Sequence, residues 1–227
     1  MDRLLLFLDT AELNLIKHWD AYGLVHGVTT NPALLARVGG DPYSNVQAIA
    51  KYVHPRPVSA QVTTNDVERM VRHGRLLSRI SDNIVVKLPC NQGGLEALRQ
   101  LAAEDIRTNI TLTFDPSLGA LFALNGATYV SLILGRTDDF NLRSETLVER
   151  TRAIFRRLNS ATKILAASIR NPVQLELAMA AGADVITVPP STWDLAFSNP
   201  LTRTGLQDFF EAWSAVDVDV RRRYEQY

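Results

Sequence analysis

The chain has 227 residues, 46% of them hydrophobic, and its 24 basic side chains balance 24 acidic ones. That length suits one large domain with a sizeable core, expected here over residues 1–227 with a helical tail from about 201. A formal net charge of zero excludes a global electrostatic case for nucleic acid or an anionic membrane surface as partner, so any anion site has to be local.

Short β-rich runs alternate with helical patterns along the chain. The first run, Leu4–Leu8, is closed by Asp9 and is too short for a signal-peptide core. Further runs follow at Leu24–Thr29, Val58–Val62, Asn83–Leu88, Thr108–Thr113, Thr128–Leu134, Lys163–Ala167 and Asp184–Val188. They are continuous apolar runs, as parallel strands covered on both faces require. None approaches the ~18 apolar residues of a membrane helix. Between them, Asp66–Ile80 carries Val67, Met70, Val71 and Leu77 on one stripe, and Ser144–Leu158 repeats the pattern with Leu147, Val148, Ile154 and Phe155. Asp115-Pro116 and Asn171-Pro172 place a capping residue before a first-turn proline, and Gly126 and Gly182 stand where helices stop. Eight βα units in this length predict a single (β/α)8 TIM barrel. The alternative, an open doubly wound sheet, calls for a glycine-rich loop after its first strand, and Asp9-Thr10-Ala11-Glu12 has no glycine. The tail after Leu201 predicts one or two helices. There Leu206, Phe209, Phe210 and Trp213 form an apolar stripe that covers either its own barrel or a neighbour, and Asp217–Tyr227 is either a frayed end or an arm.

The lone cysteine, Cys90, can form neither an internal disulfide nor a cysteine-based zinc cluster, which fits a reducing, cytoplasmic setting. With no base or cation evident beside it, it is expected to be inert. His18, His26, His54 and His73 show no metal spacing, and His26, inside the second strand, is expected to be a packed core histidine.

Polar residues gather at the C-terminal strand ends, where this fold builds its active sites. Asp9 ends the first strand, Thr29-Thr30-Asn31-Pro32 follows the second, Gln61 ends the third and Lys87 the fourth. Asn109, Thr111 and Thr113 share one face of the fifth by the period of two. Ser131 lies in the sixth, with Arg136 just after it, and Ser168 and Arg170 follow the seventh. Lys87, in Ile84-Val85-Val86-Lys87-Leu88-Pro89, belongs to a buried stretch. Burial disfavours its cation, and the neutral amine is a nucleophile toward ketones. The plainer reading is a core lysine paired with Asp9. Asp9 either orients Lys87 or moves a proton near the breaking bond. Thr30-Asn31-Pro32 also reads as a simple turn. Arg136 and Arg170, with Ser168, suit a phosphate, or are solvated loop arginines.

Taken together, Leu8-Asp9-Thr10, Gly27-Val28-Thr29-Thr30-Asn31-Pro32, Ile84-Val85-Val86-Lys87-Leu88-Pro89, Thr108-Asn109-Ile110-Thr111-Leu112, Gly126-Ala127-Thr128-Tyr129-Val130-Ser131 and Ala166-Ala167-Ser168-Ile169-Arg170 resemble the transaldolase family. The likeness is to its short branch of small bacterial transaldolases and fructose-6-phosphate aldolase. It continues through Asn199-Pro200-Leu201-Thr202 and Gly205 to Trp213.

The resemblance implies a metal-free, cofactor-free class I mechanism in carbohydrate metabolism, of the pentose phosphate type. A sugar-phosphate donor and an aldehyde acceptor would be the partners, on a homo-oligomer (pentamer or decamer). Lys87 would form the imine, Asp9 would move the C4 hydroxyl proton, and Asn31 and Asn109 would hold hydroxyls of the dihydroxyacetone unit. Thr30 belongs to the same substrate-binding phrase. Thr111 with Gln61 would hold a catalytic water, and Ser131 would contact the intermediate. Arg136, Ser168 and Arg170 would bind the phosphate. Two departures stand out. Gln61 replaces the glutamate usual in transaldolases, as in the aldolase branch. Ile133 stands where that branch has tyrosine and transaldolases have phenylalanine, which widens the pocket. Transfer of dihydroxyacetone is the first expectation, reversible aldol cleavage with free dihydroxyacetone the second, and a non-catalytic sugar-phosphate-binding barrel the third.

Overall fold

The computed structural model describes residues 3–226, so the first two residues and the last of the expected 1–227 span, including the end of the Asp217–Tyr227 segment, lie outside the described residues. Eight strands, β1 (Leu5–Asp9), β2 (Gly27–Thr29), β3 (Val58–Gln61), β4 (Ile84–Pro89), β5 (Thr108–Thr113), β6 (Tyr129–Ile133), β7 (Lys163–Ala167) and β8 (Val185–Val188), pair in chain order. Every pairing is parallel, and β8 closes on β1 with Leu5 opposite Val185 and Leu8 opposite Val188. This is the (β/α)8 TIM barrel that the alternation predicts. Around it run α1 (Leu13–Asp20), α2 (Pro32–Val38), α3 (Pro42–Val53), α4 (Val67–Ser78), α5 (Gln92–Ala102), α6 (Pro116–Leu124), α7 (Leu134–Asp139), α8 (Ser144–Arg157), α9 (Pro172–Ala180), α10 (Pro190–Phe197), α11 (Pro200–Ser214) and α12 (Val218–Glu225). Among the described residues, no helix is long and apolar enough to cross a membrane.

The continuous apolar strands divide their side chains between two environments, because successive residues point to opposite faces. The even-numbered residues, such as Leu8, Val28, Val86, Ile110, Val130 and Ile186, face outward into the main core shared with the helices. The odd-numbered residues face the barrel axis. Its lower half is a separate apolar plug of Phe7, Val85, Tyr129, Leu165 and Val185, with Leu5 and Ala167 against it. Phe7 meets Tyr129 edge-on at 5.9 Å between ring centres. Gly27 makes room for that plug, since a Cβ there would stand 2.6 Å from the Phe7 ring. Removing the Phe7 ring from so dense a layer would cost about 3–5 kcal/mol. Above the plug the axis turns polar, and the site lies there.

The helix signals act where they were expected. Asp115 accepts from the N–H groups of Ser117 and Leu118, and Asn171 from that of Gln174. Gly126 (φ +88°) and Gly182 (φ +91°) end their helices in the left-handed region that favours glycine. The second strand is shorter than Leu24–Thr29. His26 instead bridges to β1 from the loop, donating its N–H to the Leu6 carbonyl at 2.7 Å and accepting the Leu6 N–H on Nδ1 at 3.2 Å. That is a structural role for its imidazole. The C-terminal tail forms two helices, α11 and α12, and neither contains a buried residue. Phe209 and Phe210 are 71% and 64% exposed, so the stripe on α11 does not cover its own barrel.

Candidate active site

A cavity of about 390 Å³ opens at the C-terminal mouth of the barrel. Asp9, Thr29, Asn31, Gln61, Lys87, Thr111, Ser131, Ile133, Arg136, Ser168 and Thr187 line it, with Pro32, Ala33 and Leu112. A wider cleft of about 800 Å³ lies beside Ser44, Lys51, His54 and Ser81, before the starts of β3 and β4. The smaller cavity is the better candidate, because it alone of the two contains a buried amine and a carboxylate facing each other.

Lys87 comes from the middle of β4, where neighbouring strands enclose its stem and leave it 7% exposed. Its Nζ donates to the main-chain oxygen of Thr30 at 3.1 Å. Burial pushes the amine below the ordinary lysine range, and the nearby Asp9 charge offsets part of that. Asp9 shows the mirror effect. Burial raises its carboxyl above the usual carboxylate range, while Lys87 and a hydrogen bond from Thr29 pull it back. The Thr29 hydroxyl donates to Asp9 Oδ1 at 2.7 Å and lies 2.6 Å from the Thr187 hydroxyl. Gln61 is in register with Lys87 on the adjacent strand, and Thr111 is in register with Pro89 on the other side.

The β5 face differs from the simple alternation. Asn109 and Thr111 point inward, but the pairing with β6 slips between Ile110 and Thr113, and Leu112 adopts φ +61°. That left-handed residue turns Thr113 away from the axis. Its hydroxyl donates to the Ile110 carbonyl, and its methyl lies beside Gly119 of α6. Thr113 also lies next to the Cys90 thiol, which burial pushes above the usual thiol range, as an inert cysteine requires.

Other expected residues divide into those on the cavity wall and those behind it. Asn31 does two jobs. Its Oδ1 caps α2 by accepting the Leu34 N–H at 3.0 Å, and its side chain still borders the cavity. The turn reading therefore holds, and the same residue stands on the cavity wall. Thr30 is fully buried and offers Lys87 its carbonyl, while its own hydroxyl donates to the Ser59 carbonyl at 2.9 Å. Asn109 sits behind Ser131. Ser131 Oγ donates to Asn109 Oδ1 at 2.6 Å, and Asn109 Nδ2 donates to Ser59 Oγ at 3.1 Å.

At the rim, Arg136 from α7 and Ser168 after β7 border the cavity. Ser168 has φ +61°, and its carbonyl accepts the Gly135 N–H at 3.1 Å. Gly135 is needed there, since a Cβ would sit 2.6 Å from Arg170 Nε and closer still to the Ser168 oxygen. Arg170 is not on the cavity wall. Its guanidinium forks onto both carboxylate oxygens of Asp139. Among the described residues, no three His, Cys, Asp or Glu side chains come together as a metal site.

Sequence reasoning passed over Thr187, Ser59, Leu112 and Gly135 and gave Thr29 no role. Thr29 and Thr187 were findable, since both follow the period of two at strand ends facing the same axis as Asp9. The slip at Leu112 has no local signal, because leucine is an unusual residue for positive φ.

The comparisons with known proteins bear on this site as a whole. The family model described as Transaldolase/Fructose-6-phosphate aldolase matches residues 6–227. A probable transaldolase of Caulobacter sp. (strain K31) is 42% identical over 215 residues, covering 95% of this chain and 99% of that protein. A probable transaldolase of Lactiplantibacillus plantarum is 43% identical over 209 residues, covering 92% and 96%. One from Exiguobacterium sibiricum is 42% identical over 207 residues, covering 91% and 96%. With a barrel of this topology, a buried lysine facing an aspartate, and likeness along nearly its whole length, the chain belongs to the transaldolase/fructose-6-phosphate aldolase family.

Proposed function

We propose that the protein is a class I transaldolase that moves a dihydroxyacetone unit from a ketose phosphate to an aldehyde. The observation that carries this reading is the Lys87 amine, buried in the cavity and opposed to Asp9. Unprotonated, Lys87 attacks the donor's C2 carbonyl, and loss of water leaves a protonated imine. The Asp9 carboxylate takes the C4 hydroxyl proton. The C3–C4 bond then breaks, its electron pair flows to the iminium to form an enamine, and the first aldehyde leaves. The enamine carbon attacks the acceptor aldehyde, Asp9 returns the proton to the new alkoxide, and water releases the product from Lys87. Asn31 and Ser131 bind hydroxyls of the three-carbon unit, with Asn109 holding Ser131 in place. Gln61 and Thr111 hold a water near the imine. Arg136 and Ser168 bind the phosphate, and Arg170 joins them when it leaves Asp139.

A second reading, reversible cleavage with free dihydroxyacetone, is favoured by one feature. Gln61 exchanges no proton at working pH, and Ile133 has none to give, so the enamine's own fate is not set by a dedicated acid at this wall. Transfer and cleavage separate by acceptor dependence, because transfer releases the first aldehyde in step with acceptor consumed. The chemistry common to both is tested by borohydride reduction in the presence of a ketose donor, followed by peptide mass analysis. A three-carbon adduct on Lys87 is expected. An adduct on Lys17, Lys51 or Lys163, or none, removes the imine mechanism. The exposed Phe209 and Phe210 on α11 support a homo-oligomer in which this stripe is covered by another copy.

A further inference from the structure

Asp9, Thr29 and Thr187 come from β1, β2 and β8, three consecutive strands of the closed barrel. Thr29 and Thr187 are both buried, so each hydroxyl proton has few places to go. Counting protons fixes the direction of the chain. A carboxylate only accepts, so the 2.7 Å contact requires Thr29 to donate to Asp9. That uses the single proton of Thr29. The 2.6 Å contact between the two hydroxyls is then a hydrogen bond only if Thr187 donates to Thr29. Without that donor, the Thr29 hydroxyl is free to turn its proton toward Thr187 or the cavity. With it, the hydroxyl is held on Asp9 and polarised toward it.

We propose that Thr187 is a positioning residue for the reaction: its hydroxyl donates to Thr29 and so commits the Thr29 hydroxyl to Asp9, keeping that carboxylate oriented and ready to accept the C4 hydroxyl proton. The groups facing Asp9 are the Lys87 amine from β4, the Thr29 hydroxyl from β2 and, one step behind, the Thr187 hydroxyl from β8. Among the described residues, the charge that lowers the Asp9 pKa is that of Lys87. The relay is also reversible. Once Asp9 has taken a proton it can donate to Thr29, and Thr29 to Thr187, so both states of the carboxyl leave every hydroxyl partnered. Asp9 therefore gains and loses its proton with two hydroxyl rotations and no movement of the strands. The inference rests on the imine reading of Lys87, which borohydride trapping tests separately.

The experiment is a pH titration of Asp9 in protein labelled with 13C at aspartate carboxyls, its signal identified by loss in Asp9→Asn, beside a kcat/KM profile on one ketose phosphate donor. Thr187→Val keeps the shape and removes the donor. It is expected to raise the Asp9 midpoint by roughly 0.3–0.7 of a pH unit and to lower kcat with little change in KM. Thr29→Val, which removes the direct bond, is expected to move it further, by about one unit or more. Thr187→Ser is expected to match the parent in both readouts, because it restores the hydroxyl. Thr187→Ala serves as the second donor-less variant should Val not be accommodated. An unmoved Asp9 midpoint in a folded Thr187→Val or Thr187→Ala protein that still traps donor on Lys87 overturns the role of Thr187. A shift of equal size in Thr187→Ser overturns it too, since packing rather than the hydroxyl would then be the cause. Absence of trapping in the parent protein overturns the imine reading and this inference with it.

Discussion

Asp9 and Lys87 should cost the fold stability that the reaction needs spent. Burial raises the Asp9 carboxyl above its unfolded value of 3.8 and lowers the Lys87 amine below its unfolded value of 10.5. For Asp9, the native state holds its proton more tightly than the unfolded chain. Its stabilising contribution is complete below pH 3.8 and is lost as pH rises through the folded midpoint. For Lys87, the native state gives up its proton more readily. Its contribution is complete above pH 10.5 and is lost as pH falls through the folded midpoint. Wherever both groups are charged, burial penalises each of them. Replacing the pair by Asp9→Asn and Lys87→Met keeps the volumes and the Thr29 hydrogen bond and removes both charges. Exchanging a buried ion pair for neutral groups of similar size commonly stabilises by about 1–4 kcal/mol. Asp9 keeps part of its surface open to the cavity, so the lower half of that range, about 1–2 kcal/mol, is expected. For a chain of this size that is on the order of 2–8 °C in Tm.

The assay is thermal unfolding of the four-member cycle at pH 7, with each variant repeated at pH 5 and pH 8.5. The double variant should unfold at a higher temperature than the parent and have no measurable turnover. Lys87→Met alone leaves the Asp9 charge without its counter-charge. Its destabilisation should grow from pH 5 to pH 8.5, because a buried Asp9 without its counter-charge is held increasingly far from its protonated form as pH rises. A double variant less stable than the parent at pH 7 would refute the reasoning. It would mean that the mutual attraction and hydrogen bonds of the pair outweigh the burial of its charges.

Arg136→Ala should raise KM for phosphorylated donors by tenfold or more, as remote charge-assisted binding predicts, with a much smaller effect on unphosphorylated ones. Arg170→Ala should have a weaker effect, because Asp139 already occupies that guanidinium, whereas Asp139→Asn should release it and lower KM for the same donors. Equal effects of Arg136→Ala on phosphorylated and unphosphorylated donors would remove the phosphate assignment. Turnover should survive exhaustive chelator treatment, since the imine itself serves as the electron sink, and activity lost to chelator and restored by a divalent ion would favour a metal-dependent aldolase. Light scattering should give a mass of several copies, and Phe209→Ser with Phe210→Ser should lower it; a monomer at working concentration would rule the oligomer out.

Much of the architecture was legible because eight apolar runs, spaced by helical stripes with recognisable caps, leave few alternatives to a closed parallel barrel. Lys87, Asp9, Gln61 and Thr111 were legible for a related reason. Asp9, Gln61 and Lys87 are polar toward the C-terminal ends of mostly apolar runs, and Thr111 follows the period of two along the polar β5. What escaped the sequence depends on contacts between strands distant in the chain. The pairing of Arg170 with Asp139 joins residues 31 positions apart, and the bond between Thr29 and Thr187 joins residues 158 apart. The turn at Leu112 escaped for a different reason. Its φ of +61° runs against the residue's own preference, so it is imposed by the surrounding barrel.

Leu112 and Ser168 are the two cavity residues other than glycine with left-handed backbone, and they stand on opposite sides of β6. Ser168 directly follows the last residue of β7, whereas Leu112 lies within β5, where the register slips before Thr113 pairs with Leu132. At Ser168 the left-handed backbone folds the main-chain carbonyl onto the Gly135 N–H and leaves the hydroxyl on the cavity, next to the residue that follows Gly135, Arg136. At Leu112 it keeps Thr111 on the cavity wall while sending Thr113 outward. The cost of such backbone, about 1–3 kcal/mol at each position, is borne by a barrel whose lower half is an uninterrupted apolar plug. Strain at the rim and charge at the centre are thus separated from the layer that holds the strands together. Substitutions among Leu112, Ser131, Ile133 and Ser168 can therefore reshape the cavity without touching Phe7, Val85, Tyr129, Leu165 or Val185. That separation lets the cavity wall at Gln61 and Ile133 vary while the barrel beneath keeps its form.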